Sequence, residues 1–135
     1  MITLGIESSC DECSASIIDD TGEIRSLQTA SQINLHEKYQ GVVPEVASRA
    51  HAEVVDLVVR DTLTEAGLSA RDVGGVAVTN RPGLSGSLAV GLSFGKTFAA
   101  ALGVPFVAVD HMLAHAYAVQ LVRKVAYPYV VLLVS

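Results

Sequence analysis

"ITLGIESSCDECSASIIDDTGEIRSLQTAS", residues 2–31, contains three β-rich runs separated by short connections. The runs are Ile2–Glu7, Ser14–Asp19 and Ile24–Ser31, and the turn residues "DDTGE" lie between the second and the third. Three consecutive strands with short connections predict an antiparallel meander at the start of the chain.

Beyond this meander the pattern changes to helices that alternate with buried strands. The predicted elements are, in chain order, a helix from Pro44 to the C-cap glycine Gly67, strand Gly74–Asn80, helix Leu84–Leu102, strand Val104–Val109, a third helix from Asp110 to about Arg123, and strand Tyr127–Ser135. Pro44 suits the first turn of a helix, and Asp110 is well placed as an N-cap. The order is therefore βββαβαβα plus a terminal strand.

This order predicts an α/β fold, with a mixed sheet and helices on both faces. The ribonuclease H-like fold has the same order, and so does each lobe of the actin- and hexokinase-type ATPases. Such proteins carry two lobes with the ligand between them. We therefore expect residues 1–126 to form an N-terminal actin-like lobe, and residues 127–135 to be the first strand of a second lobe that is otherwise absent.

Composition narrows the class of protein. The 135 residues suffice for one domain, 50% of them are hydrophobic, and the net charge of −5 is unlike that of a stand-alone nucleic-acid binder. No basic region precedes the N-terminal apolar run, so we expect a cytoplasmic protein with reduced cysteines. Lys96 is the sole charge between Pro82 and Val109, but glycines and Pro105 interrupt this stretch. A buried helix and strand are favoured over a membrane span.

His111 and His115, in the segment "DHMLAH", form the sharpest chemical signal. Residues i and i+4 lie on one face of a helix, so the two imidazoles can converge on one metal ion. Asp110 would place them just past the carboxyl end of a buried strand, where ligand sites of α/β sheets gather. The spacing also fits two histidines that pack or are solvated independently, so both interpretations stay open.

The pair alone does not make a complete metal site. A metalloprotease needs a glutamate directly after the first histidine as general base, and Met112 is there instead. Two ligands are also too few, because a metal site needs at least a third protein ligand. We expect that ligand in the missing lobe.

The segment "SSCDECS", residues 8–14, holds both cysteines in a C-x-x-C spacing. A redox pair needs a lowered thiol pKa, whereas two neighbouring acids would raise it. A zinc half-site would need a second cysteine pair, and the chain has two cysteines in all. We predict instead that this turn presents Ser9, Asp11 and Glu12 to the polar part of a ligand, with the two acids as the functional candidates.

The helix over residues 84–102 carries two motif-like patterns and a stripe of small residues. "GLSFGKT" has one residue too few between its glycines for a phosphate-binding loop, and Ser93 lacks the preceding strand of a hydrolase nucleophile. Small residues recur every four positions, at Gly83, Ser87, Gly91, Gly95 and Ala99. Such a stripe allows close approach of another backbone. It fits packing on the domain's own sheet, and it also fits an interface with a partner chain.

Four longer segments carry a family resemblance: "LGIESSCDECSASI", "GVVPEVASRAHAEVV", "PGLSGSLAVGLSFGKTFA" and "DHMLAHAYA". Together they resemble the tRNA threonylcarbamoyladenosine transferase family, whose members were formerly called O-sialoglycoprotein endopeptidases or glycoproteases. The segments follow the family's order and spacing over essentially the whole chain. The histidine pair separates the catalytic branch of that family from a paralogous subunit of the same fold.

The resemblance implies transfer of a threonylcarbamoyl group from threonylcarbamoyl-AMP, an adenine nucleotide, to N6 of the adenosine beside the tRNA anticodon. His111 and His115 match the family's ligands for one divalent metal ion, iron or zinc, which an aspartate of the second lobe completes. Asp11 and Glu12 match acidic positions needed for activity. The family's substrate-holding segment begins at the positions of Leu133, Val134 and Ser135.

The resemblance also implies partners. Bacterial members pair with the paralogous subunit, which lacks the histidine pair, on the helix that carries the small-residue stripe. A small ATPase completes that assembly, and tRNA is its substrate; a homodimer through the 84–102 stripe is an alternative. Glu45, Arg49 and His51 match a family segment whose structural and catalytic duties the sequence does not separate.

Three departures from the family pattern stand out. Cys13 replaces the usual threonine, "NRPG" places Arg81 where a small residue is commoner, and the second lobe is absent. We therefore expect the isolated lobe to be inactive. The competing interpretations are a non-catalytic dimerisation lobe or truncated fragment and, less favoured, a sugar-kinase-like ATPase or a metalloprotease.

Overall fold

A five-stranded mixed sheet organises the chain in the computed structural model, which describes residues 1–134. The strands are β1 (Ile2–Glu7), β2 (Glu12–Asp19), β3 (Ile24–Ser31), β4 (Gly75–Arg81) and β5 (Phe106–Asp110). The helices are α1 (Ile33–His36), α2 (Pro44–Glu65), α3 (Ser85–Leu102) and α4 (His111–Val122), with 3₁₀ turns at Glu37–Tyr39 and Ala70–Asp72. The predicted order βββαβαβα is confirmed up to α4, and α1 and the 3₁₀ turns are additions to it.

The strand order is β3-β2-β1-β4-β5. β1, β2 and β3 form the predicted antiparallel meander, whereas β4 pairs with β1 and β5 pairs with β4 in parallel. The carboxyl ends of β1, β4 and β5 therefore meet at one edge of the sheet, and β2 begins at that same edge. In sheets of this kind, ligand sites form at such an edge.

One face of the sheet forms the hydrophobic core. Alternate strand residues point into it, because side chains along a strand alternate between the two faces. The fully buried members are Leu4, Ile6, Cys13, Ala15, Ile17, Val76 and Val78. Helices α2 and α3 cover this face, and α4 lies against the opposite face beside β4 and β5. The prediction of helices on both faces is confirmed.

The small-residue stripe of α3 lies against this sheet. A Cβ atom on Gly95 would overlap Val78, and one on Gly91 would overlap the Ser8 hydroxyl. Both glycines are therefore needed for close packing of α3 inside the domain. The structure thus supports packing of the stripe on the domain's own sheet, and pairing of α3 with a partner chain or a second copy stays a prediction.

The helix ends follow the predicted signals. Pro44 occupies the first turn of α2, and Gly67 adopts a left-handed φ of +67° just beyond its end. The amide of Leu68 bonds to the Leu63 carbonyl at 2.9 Å, which closes this end of the helix. At α4 the Asp110 carboxylate accepts from the amides of Met112 and Leu113, as an N-cap does.

The predicted strand at the end of the chain is not formed. Within the described residues, 127–134 have no regular secondary structure. The backbone folds back along α4 instead of pairing with β5, because Gln120 bonds both backbone groups of Val125 and the Tyr129 hydroxyl donates to the Ala116 carbonyl. Without a neighbouring strand, the ladder hydrogen bonds that a strand needs have no partners.

None of the helices in residues 1–134 is both long enough and apolar enough to cross a bilayer.

Candidate metal centre

The histidine pair lies at the edge where the parallel strands end. β5 ends at Asp110, and α4 begins at the next residue, His111. Because the Asp110 side chain caps α4, the direction of the first helical turn is fixed relative to the sheet. Both histidines are thereby held above the ends of β1 and β4.

The two imidazole rings converge. His111 Nε2 and His115 Nε2 are 3.0 Å apart, and the rings meet edge to face with centroids separated by 4.4 Å. His111 is partly buried and His115 is exposed. The alternative that the two histidines act independently is wrong, since their Nε2 atoms face one common point.

Glu7, the last residue of β1, holds the other side of the His111 ring. Its Oε2 lies 3.1 Å from His111 Nδ1, and Ser9 Oγ lies 3.2 Å from the same nitrogen. An ionised carboxylate can only accept, so Nδ1 carries the hydrogen and the Nε2 lone pair points away from the sheet. Glu7 therefore sets both the tautomer and the orientation of this ring.

Several donors converge on the Glu7 carboxylate. The amide of Ser9 donates to Oε1 at 2.6 Å, and the Thr79 hydroxyl donates to Oε2. Burial acts to raise the pKa of Glu7, but the hydrogen bonds from Ser9, Thr79 and His111 outweigh it and hold this pKa below its usual value. Glu7 is thus an anion that faces the histidine pair.

The pair fits two positions of a tetrahedral metal site. Two nitrogen ligands at the Zn–N distance would lie about 3.3 Å apart, close to the separation of the two Nε2 atoms. A carboxylate on the far nitrogen of a ligating histidine is the usual outer-shell arrangement. Among residues 1–134, no group of three or more His, Cys, Asp and Glu side chains is placed to hold a metal ion. Metal binding by the two histidines therefore stays a prediction, and it would require a third ligand from outside these residues.

The loop between β1 and β2 lies at the same edge. Ser9 is buried and contacts His111, so the structure brings this predicted residue into the site. Asp11 is half-buried and Glu12 is exposed at the first position of β2. The loop thus presents all three predicted side chains at the strand ends, while the catalytic roles of the two acids stay predictions.

A second loop closes against this one from β4. The amide of Leu84 donates to the Ser9 carbonyl at 2.7 Å. Gly83 is needed here because a Cβ atom would lie 2.5 Å from that carbonyl oxygen. Arg81, the unusual residue of the "NRPG" segment, places its Nε 3.4 Å from the Asp110 carboxylate.

The two cysteines are poor candidates for redox chemistry. Burial raises the pKa of Cys13 to about 11, and the Glu7 charge adds to the effect. Burial and the neighbouring Asp11 carboxylate also raise the pKa of Cys10. Reactive thiols have lowered pKa values, so the raised pKa values of both cysteines support the prediction that they do not form a redox pair.

A cleft of about 350 Å³ lies beside the histidines on the open face of the sheet. Small residues make room for it, and its lining includes Gly5, Ser14, Ala77, Val109, Ala114 and His115. Its volume falls within the range of small-molecule sites.

Other predicted residues are not brought to the histidine pair. Leu133 and Val134 are exposed, and no hydrogen bond joins them to the site within the described part of the chain. Ser135 lies outside the described residues. Glu45 and Arg49 are exposed on the first turns of α2.

Sequence reasoning missed Glu7 and Thr79. Both lie in strands, in segments whose sequence pattern indicates only β structure. A signal was nevertheless present, since Glu7 is a charged residue at the end of an otherwise apolar run.

Comparison with solved structures agrees with this architecture. The chain is similar to YeaZ from Pseudomonas aeruginosa, with a TM-score of 0.63 and 24% identity over 89% of this chain and 51% of that chain. This likeness concerns the fold alone. The fold and the site together define an α/β lobe of the ribonuclease H-like class that presents a paired-histidine centre at its strand ends.

Sequence comparison defines the family. The family model of tRNA N6-adenosine threonylcarbamoyltransferase matches residues 23–135. Enzymes of that name from Treponema denticola and Pelobacter propionicus are 53% and 49% identical to the whole chain, which covers 40% of each. The chain belongs to the tRNA N6-adenosine threonylcarbamoyltransferase family, and it spans about two fifths of the length of these relatives.

Proposed function

We propose that this chain is the metal-binding lobe of an enzyme that transfers a threonylcarbamoyl group from threonylcarbamoyl-AMP to N6 of the anticodon-adjacent adenosine of tRNA. The observation that carries the proposal is the convergence of His111 Nε2 and His115 Nε2 at 3.0 Å, with Glu7 on the far nitrogen of His111. Membership in the family supports the reaction. Since the chain spans two fifths of its relatives, the activity belongs to the longer protein, and we expect the isolated lobe to be inactive.

The two histidines would hold one divalent ion, iron or zinc, through their Nε2 atoms. When bound, such an ion supplies a Lewis acid for a carbonyl oxygen. The two Nε2 atoms lie within hydrogen-bond distance of each other, and the ion would bind to both of them in place of that contact. A third protein ligand would come from outside residues 1–134.

The acids of the first loop would serve the proton transfer. In the reaction the N6 amine forms a bond to the carbamoyl carbon, the bond from that carbon to the phosphate oxygen breaks, and AMP leaves. The amine must lose a proton, and Asp11 or Glu12 would accept it or orient the reactants. Ser9 already contacts His111 and would hold this loop in a fixed position relative to the two histidines.

The partners expected from the sequence are part of the proposal. A net charge of −5 provides little attraction for RNA, so tRNA would bind mainly to the rest of the enzyme and to its partners. Those partners would be the paralogous subunit without the histidine pair and the small ATPase. Pairing through α3 would use the exposed side of this helix, because four of the five small residues of the stripe, Ser87, Gly91, Gly95 and Ala99, are buried. A cytoplasmic location follows from a tRNA substrate and stays a prediction.

Metal content and transfer activity of the full-length enzyme test the proposal. His111→Ala and His115→Ala should each abolish transfer and lower the bound metal, because each removes one of two convergent ligands. Met112→Ala is the matched control, since Met112 lies between the histidines on α4 and is 41% exposed. Unchanged metal content and activity in both histidine variants would reject the metal centre.

A further inference from the structure

His51 is a buried polar group that does not contact the histidine pair. It lies in the first half of α2, its side chain is 0% exposed, and its Nε2 lies 2.9 Å from the carbonyl oxygen of Cys10. A carbonyl oxygen can only accept, so Nε2 carries the hydrogen. His51 Nδ1, on the other side of the ring, has no hydrogen-bond partner within residues 1–134.

This bond links α2 to the loop that carries the candidate acids. Cys10 is followed directly by Asp11 and preceded by Ser9, whose hydroxyl lies 3.2 Å from His111 Nδ1. On the other side of the loop, the amide of Gln32 donates to the Asp11 carbonyl at 3.0 Å. The consecutive carbonyl groups of Cys10 and Asp11 are therefore both held by hydrogen bonds. The His51 side chain holds the first, and the Gln32 amide holds the second.

We propose that His51 is a positioning residue, whose Nε2–H bond to the Cys10 carbonyl fixes the backbone that presents Ser9 and Asp11 at the histidine site. The consequence for catalysis rests on the proposed function, whereas the positioning is a property of the lobe itself. The proposal gives His51 a duty that is separate from packing. An apolar residue of similar size could fill the space but could not donate to the carbonyl.

Thiol labelling can separate positioning from packing. In a Cys10→Ser background, Cys13 is the single thiol; it is 1% exposed and lies close to the loop at the start of β2. His51→Leu fills the space without a donor, and His51→Gln keeps an N–H at a similar reach. We expect His51→Leu to raise the native-state labelling rate of Cys13 by about tenfold, because the loop opens locally, and His51→Gln to restore most of the protection.

Ser26→Ala is the matched control. Ser26 is also buried, and its hydroxyl donates to the Thr62 carbonyl at 2.8 Å between β3 and α2, away from the loop. It should lower the melting temperature without a comparable rise in Cys13 labelling. Equal labelling in His51→Leu and Ser26→Ala, or in His51→Leu and His51→Gln, would overturn the positioning role.

Two measurements complete the test. In the wild-type chain, ring-nitrogen NMR should report the Nε2–H tautomer of His51, and an Nδ1–H tautomer would contradict the proposal even if the leucine variant failed to fold. In the full-length enzyme, His51→Leu should lower kcat with little change in KM for tRNA, and His51→Gln should recover it. A wild-type enzyme without transfer activity would instead reject the proposed function and leave the labelling result standing.

Discussion

Glu7 and Asp19 are two carboxylates at opposite ends of the central strands. Glu7 ends β1 at the site, and Asp19 ends β2 at the other edge of the sheet. Each accepts hydrogen bonds from several donors, and for each the hydrogen bonds hold the pKa below its usual value. The direction of the pKa shift is therefore the same for both carboxylates, although burial opposes it at Glu7. At Asp19 the Thr21 hydroxyl and then the Arg25 guanidinium support the lowered pKa.

The donors differ in where they come from. Asp19 accepts from Thr21, Glu23 and Arg25, all within six residues of it. Glu7 accepts from the nearby Ser9 amide and also from Thr79 and His111, which are 72 and 104 residues away in the chain. A carboxylate with local donors fixes one turn, whereas one with remote donors joins β1, β4 and the start of α4 at a single point. This difference identifies Glu7 as the organising residue of the site.

Replacing Glu7 by glutamine should have the largest effect. Glu7→Gln keeps the shape of the side chain but removes the charge that orients His111. We expect the zinc affinity of the full-length enzyme, measured by calorimetric titration, to fall by about 10- to 100-fold, as for other outer-shell partners of metal ligands. His111 would lose the carboxylate that fixes its tautomer.

Glu23→Gln is the control for this experiment. It makes the same chemical change on an exposed residue of the β2–β3 turn and removes the same charge. Zinc affinity should then be close to that of the wild type. If both variants weaken zinc binding equally, the effect is one of net charge, and Glu7 does not orient the ligand.

Thr79→Val should have an intermediate effect. Thr79 is buried and its hydroxyl donates to Glu7, so its loss leaves the carboxylate with fewer donors. We expect a loss of about 1–2 kcal/mol in the free energy of unfolding and a fall in zinc affinity smaller than that of Glu7→Gln. Chemical denaturation and the same titration measure the two quantities.

Thr29→Val supplies the comparison for the threonine change. Thr29 lies on the exposed side of β3, where its hydroxyl bonds to Ser14 at 2.9 Å. Its replacement should change stability by less than about 0.5 kcal/mol. Similar losses of unfolding free energy in the two variants would mean that the Thr79 bond to Glu7 stabilises the protein no more than the exposed bond between Thr29 and Ser14.

Much of the fold could be predicted from the sequence because its signals are local. The meander, the end of α2 just before Gly67 and the Asp110 cap all depend on residues a few positions apart, and each is confirmed. The spacing of the histidine pair is likewise local, since one helical turn joins the two residues. The strand predicted over Tyr127–Ser135 is not formed within residues 127–134, because a strand depends on a neighbouring strand that no local pattern reveals.

The rest of the site depends on contacts between distant segments. No residue near Glu7 in the sequence indicates that Thr79 and His111 contact its carboxylate. These contacts result from the parallel pairing of β1, β4 and β5. The link from His51 to Cys10 spans 41 residues and is equally invisible in the sequence. The two histidines and the loop acids could be proposed from local sequence patterns. The residues that orient them could be identified only from the pairing of the strands in the sheet.

The smallest effect is expected from Asp19→Asn, which tests the local carboxylate. The Thr21 hydroxyl and then the Arg25 guanidinium hold the pKa of Asp19 well below its usual value. A carboxyl group whose pKa is lower in the folded state stabilises the protein above its unfolded pKa, and this contribution is lost as the pH falls through the folded pKa. Asparagine does not titrate, so the variant lacks the contribution at every pH. The melting temperature of Asp19→Asn should therefore lie below that of the wild type at pH 7, and the difference should shrink between about pH 4 and pH 2.

Asp20→Asn controls for the loss of one acid in the same turn. Its carboxylate is exposed and pairs with the N-terminal amine at 3.0 Å, a contact that contributes little at the surface. This variant should melt close to the wild type at pH 7. If the Asp19→Asn difference stays constant from pH 7 to pH 2, its hydrogen bonds stabilise the turn without depending on the charge. Asp19 would then differ from Glu7 in two respects. Its donors are local in the sequence, and its effect would not depend on its charge, whereas we expect the orientation of His111 to depend on the charge of Glu7.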